Sequence, residues 1–159
     1  MASELETYAE YFAKLNQAAR DLLAGLPPAA LNWRPLPAPP GEHPETNTLA
    51  GLGTHIAGSQ RYFIGEVLHG RNPARNRDAE LATGSLAPEA VAADVAEAAA
   101  RVQATVAGLT PEALSELVPF RTGPVTKRWM ILQMLTHVAG HLAEMSLIKQ
   151  LWEAQPAEA

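Results

Sequence analysis

The chain has 159 residues, 47% of them hydrophobic and 18% charged, the size and mix of a single domain over 1–159 with one continuous core. A net charge of −5 argues against a general nucleic-acid binder, which needs clustered basic surface to displace counterions. Cysteine is absent, which excludes disulfides, thiolate ligands and a cysteine nucleophile.

The N-terminal stretch MASELETYAEYFAKL is acidic and amphipathic and has neither the basic start nor the apolar block of a signal peptide. No apolar run is long enough to span a bilayer, so no membrane partner is expected and the cytoplasm is the expected compartment. Over residues 3–25 apolar side chains recur at Leu5, Tyr8, Phe12, Leu15, Ala19 and Leu22. This is helical spacing, with Ser3 as N-cap and Gly25 as stop. LPPAALNWRPLPAPPGEHPETN follows, too rich in proline for regular structure to persist. An ordered connection is expected because Leu31 and Trp33 need packing partners.

Asn47 can cap a second helix running to about His69, with Leu49, Leu52, Ile56, Phe63 and Val67 on its buried side. Residues 70–87 read as a loop. Its cluster of Arg71, Arg75 and Arg77, interrupted by Pro73 and two asparagines, is either a solvated loop or an anion site. Pro88 opens a third helix with a seam of Val91, Val95, Ala98, Val102 and Val106, ending near Gly108. Thr110 and Pro111 start a short helical turn over 110–114. The last helix, about 127–153, turns Leu135, Val138, Leu142, Met145 and Trp152 inward. No segment has the alternation and turn chemistry of a sheet. Four long amphipathic helices predict an all-α four-helix bundle with long connections.

Chemistry is concentrated in the histidines. His43, in the proline-rich connection, and His69, at a helix end where the dipole favours it, need no functional explanation. His137 and His141 stand four apart in THVAGHLAEM and project from one helical face, where two ring nitrogens can converge on one ion or simply hydrogen-bond. HVAGH lacks the glutamate of the HExxH zinc proteases. His55, beside buried Ile56 on a helix of the same bundle, would complete a facial three-histidine site with open positions, the arrangement of catalytic rather than structural zinc. Gly51, Gly53 and Gly58 each cost a helix about 1 kcal/mol relative to alanine. Close approach of another helix or a ligand would account for them.

A histidine on the second helix, an HxxxH pair on the last and a four-helix background together resemble the DinB/YfiT-like superfamily. The segments LNWRP and HVAGHLAEMSLIKQLW are similar to its recurring ones. The resemblance implies a divalent metal, commonly zinc or nickel, held by His55, His137 and His141. It also implies frequent homodimers, to which Tyr11 and Trp152 could contribute apolar surface. Related branches are thiol-dependent transferases, using mycothiol or bacillithiol, and some hydrolases, so a low-molecular-weight thiol cosubstrate is implied. The alternative is a non-catalytic, stress-related protein that binds a metal or small molecule. In one common form of the family the second histidine of the pair is followed by Arg-Gly-Gln; here Leu142, Ala143 and Glu144 follow.

Glu144, three residues after His141 and seven after His137, shares their helical face. It could orient a histidine, act as a base on a bound water, approach the metal, or merely pair with Lys149 or solvent. Ser59 and Tyr62, four and seven residues after His55, either line the same pocket or pack between helices. With no cysteine and no serine in a nucleophile-elbow setting, the expected nucleophile is a small-molecule thiol or a water, with Glu144 as the catalytic residue that manages the proton.

Overall fold

The computed structural model describes residues 2–36, 46–84 and 86–155, and four long helices dominate them: α1 (Glu4–Leu23), α3 (Leu49–Phe63), α5 (Pro88–Ala107) and α6 (Lys127–Glu153). Local chemistry explains their limits. Ser3 caps α1 in a capping box, its Oγ accepting from the Glu6 amide at 3.2 Å while its own amide donates to Glu6 Oε2 at 2.7 Å. Gly25, with φ +72°, takes the left-handed turn just past the end of α1. Pro88 sits at the first position of α5, where no amide is needed.

The helices form the expected bundle. α1 packs on α5 and α6, and α3 packs on the same two, so α1 and α3 face each other across the diagonal. The α5 seam is buried throughout: Val91, Val95, Ala98, Val102 and Val106. Phe12, Leu52, Ile56, Met130, Ile131 and Met134 fill the centre. One polar pair crosses the diagonal inside this core. The side-chain amides of Asn16 on α1 and Gln60 on α3 donate to each other's oxygens, both at 2.8 Å. A buried reciprocal pair is satisfied in only one register, so it selects the rotation of α3 that also directs His55 and Ser59.

Several local expectations are corrected. The proline-rich connection does hold a short helix, α2 (Pro28–Asn32), because Pro28 stands at a helix start, where proline is tolerated. α2 buries Leu31, and just beyond it the Trp33 ring meets Trp152 edge-on at 5.8 Å. The N-cap of α3 is Thr48, whose Oγ1 accepts from the Gly51 amide at 3.0 Å; Asn47 is engaged elsewhere. The α-helix stops at Phe63, and Val67–His69 forms a separate 3-10 turn closed by Gly70 at φ +75°. The segment read as a loop over 70–87 contains α4 (Arg77–Leu81), capped by Asn76. After a 3-10 turn (Glu112–Ser115), β1 (Leu117–Val118) pairs antiparallel with β2 (Val125–Thr126). Two residues are too few to show an alternating pattern. Among the described residues no helix is long and apolar enough to cross a membrane. His43 lies outside the described residues.

Candidate metal centre

The HxxxH spacing on α6 stacks His137 and His141 with ring centroids 4.5 Å apart, and α3 brings His55 to 5.1 Å from the first and 4.9 Å from the second. The rings meet edge to face, at 68–90°. One ring nitrogen from each lies within 4.8 Å of the others, so the group could hold a metal ion. His55 is 1% exposed, and the two α6 histidines are half-buried.

Carboxylates orient two of the imidazoles from behind. His55 Nδ1 is 2.9 Å from Glu80 Oε2, and His141 Nδ1 is 3.0 Å from Glu144 Oε2. If each Nδ1 carries the proton, each Nε2 keeps its lone pair free for an ion, the arrangement typical of metal-bound histidines. Ser59 Oγ lies 3.1 Å from His137 Nε2 and 3.5 Å from His55 Nε2, so it joins the two helices. Arg75 donates to both Glu80 oxygens, at 2.9 and 2.6 Å, and to Ser59 Oγ at 2.8 Å. Its Nη2 is also 3.3 Å from His55 Nδ1; both nitrogens converge on the same Glu80 oxygen, which accepts from each.

The electrostatics suit neutral ligands. Burial pushes His137 down to about 4, and the nearby His141, His55, Arg75 and Arg77 act in the same direction. Burial also lowers His55, against the opposing pull of its hydrogen bond to Glu80. A ring that resists protonation keeps the lone pair a cation requires. The donor set of three imidazole nitrogens, two of them braced by carboxylates, therefore fits a zinc- or nickel-type ion.

Glu144 lies behind His141, and its second oxygen accepts from Asn47 Nδ2 at 2.7 Å. The hydrogen bond to His141 and then that to Asn47 hold its carboxyl below the usual range, so it is ionised at neutral pH. Lys149 pairs with Glu153 instead. Tyr62 is turned away from the histidines. Its hydroxyl donates to Asn72, and its ring faces the Arg75 guanidinium at 5.6 Å.

Two participants escaped the sequence reading. Nothing in the sequence singles out Glu80, and Arg75 reads as part of a basic run, either solvated loop or anion site. Of that run, Arg71 is exposed and pairs with Glu66, and Arg77 is exposed, whereas Arg75 is half-buried against the site. The usable signal was the glycines. An added Cβ on Gly51 would come within 2.5 Å of the Leu81 carbonyl oxygen, and one on Gly58 would strike the Glu80 carboxylate. The two glycines, seven residues apart on α3, form the seat on which α4 delivers Glu80 to His55.

The same architecture recurs in solved structures of low sequence identity. A conserved protein from Enterococcus faecalis superposes with TM-score 0.79 at 13% identity, over 98% of this chain and 100% of its own. A DinB-like protein from Bacillus cereus ATCC 10987 gives 0.72 at 13%, over 97% of each chain. A mycothiol-dependent maleylpyruvate isomerase gives 0.69 at 17%, over 90% of this chain but only 61% of the isomerase. No curated protein sequence matches the chain. The family model of the DinB superfamily matches residues 11–145, a span that contains His55, His137, His141 and Glu144, and the chain belongs to that superfamily.

Proposed function

We propose that the protein is a metal-dependent enzyme acting on a small molecule, as a thiol transferase or a hydrolase, with zinc or nickel held by His55, His137 and His141. The observation that carries this reading is the convergence of three imidazoles from α3 and α6, two of them anchored from behind by Glu80 and Glu144. The bound ion would supply Lewis acidity, lowering the pKa of a thiol or water. The likeness to a mycothiol-dependent isomerase supports a low-molecular-weight thiol as cosubstrate; with no cysteine in the chain, any thiol nucleophile has to arrive with a small molecule.

The protein's own residues have separate tasks. Glu80 and Arg75 fix the His55 ring, and Ser59 sets the spacing between His55 and His137. Glu144 positions His141. Each of its oxygens accepts one hydrogen bond and keeps a lone pair free for the catalytic base role expected of it.

The unit is a single domain over 1–159 placed in the cytoplasm and working as a homodimer. The outer face of α6 supports the dimer. Trp129 and Leu147 are 18 residues apart, which is five helical turns, and both are exposed, as are Leu132 and Leu151. Between them the centre of that face carries Thr136, Gly140 and Ala143, small enough for close approach of a second helix, with Gln133 at its edge.

Elemental analysis of the purified protein tests the centre. About one zinc or nickel per chain is expected, falling to nearly none in His137→Ala/His141→Ala while the helical circular dichroism remains. Unchanged metal content in that variant refutes the assignment. Glu144→Gln is expected to keep the metal and to slow thiol-dependent turnover, and full activity in this variant removes the base role.

A further inference from the structure

A cavity of about 120 Å³ opens beside the histidines, with His55 and His137 in its wall. It is well below the several hundred Å³ of a drug-sized site, so it suits a small molecule. Its charge runs against that of the whole chain. Three guanidinium groups line it, those of Arg75, Arg77 and Arg121, and no aspartate or glutamate does, although the net charge is −5.

The three arginines are not equivalent. Arg75 is spent on Glu80, which takes hydrogen bonds from two of its nitrogens. Among the described residues Arg77 pairs only with its exposed neighbour Asp78, at 3.4 Å. Arg121 pairs with no carboxylate among the described residues and lies 5.5 Å over the Phe120 ring. Two cationic groups are therefore left for a ligand at the cavity rim. Apart from Gln133 the remaining wall is apolar and aromatic, with Phe63 and Phe120 at 6.0 Å from each other and Met130 and Met134 beside them.

We infer that this cavity receives a small carboxylate-bearing substrate whose carboxylate meets Arg77 and Arg121 and whose flat, unsaturated body lies against Phe63 and Phe120, next to His137. The inference rests on the proposed reading of the three histidines as the reacting centre. It adds a substrate class and a direction of entry. Guanidinium groups favour a carboxylate over a neutral polar group because they offer paired donors with matching charge.

Benzoate and its neutral isostere benzamide serve as probes, titrated into the full chain while the Gln133 side-chain amide and the Trp129 indole N–H are followed by NMR. Gln133 lines the cavity, and the Trp129 ring sits 5.0 Å from Phe120. Benzoate is expected to bind at least about tenfold more tightly than benzamide, to lose about tenfold in Arg77→Gln/Arg121→Gln, and to weaken as salt rises. Both substitutions are on exposed side chains, so the fold should be retained. Each titration is repeated after dialysis against a chelator. Preference for benzoate that persists without metal and disappears in the double variant upholds the arginine site, whatever elemental analysis says of the histidines. Equal binding of the two probes, absence of benzoate binding, or binding that is lost on chelation and unaffected by the double variant overturns it.

Discussion

The α1–α5 side of the bundle and the α3–α6 side are built on opposite rules. α1 and α5 hold no glycine across 20 residues each, and α5 meets its neighbours through a plain valine and alanine seam. α3 spends three glycines in 15 residues and buries a histidine and a serine, besides the glutamine that pairs with Asn16 of α1. The first side follows local propensity and serves as scaffold. On the second, α3 gives up helix stability so that backbone and side chains can approach it closely, and the histidines gather there. Violations of local preference thus mark the functional half.

Substitutions can sharpen this contrast. The largest expected effect is on the scaffold. Phe12→Ala removes a fully buried ring from α1 and should cost about 3–5 kcal/mol in chemical denaturation, with the metal content of the folded protein unchanged. Loss of metal in proportion to stability would mean that the two sides are not separable.

Gly51→Ala probes the other side. The new methyl meets the Leu81 carbonyl, which is backbone and cannot swing away, so α4 must shift. A loss of about 1–3 kcal/mol is expected, together with weaker metal binding as Glu80 is drawn off His55. Improved stability would show that α4 is not seated on α3.

The pH response should single out the α3–α6 side. His137 has its pKa lowered by burial to about 4, from an ordinary 6.5. Between those values the unfolded chain binds more protons than the folded one, so stability is complete above about 6.5 and declines as the pH falls toward about 4. Glu144, held below its usual value, contributes above about 4.5 and is lost only below it, which keeps the two windows largely apart. Denaturant midpoints of the metal-free protein should drop from pH 7.5 to pH 4.5 more steeply than those of His137→Ala. Parallel curves would show that the buried imidazole is not the sensor.

The smallest effect is expected at Gly140. A Cβ there meets nothing within 4 Å, so Gly140→Ala should raise the stability of the chain by up to about 1 kcal/mol through helix propensity alone. A loss instead would show that the outer face of α6 is covered, as it would be in the proposed dimer.

The sequence by itself determined the four long helices, their buried seams and the pairing of His137 with His141, because those are relations among residues three or four positions apart on one helix. It also carried the family signature that joined His55 to the pair. Only the tertiary structure decided which groups stand behind the ligands. Glu80 reaches His55 across 25 residues, Ser59 reaches His137 across 78, and Asn47, which reads as a helix cap, leaves that task to Thr48 and reaches Glu144 across 97. Arg75 passed for part of a basic run because nothing in its neighbours reveals that α4 folds back onto Gly51 and Gly58. Helix periodicity is a local property of the chain, whereas the contacts that tune an imidazole depend on how separate helices are rotated against one another. That rotation is settled by packing and by buried pairs such as Asn16 and Gln60, which no short stretch of sequence contains.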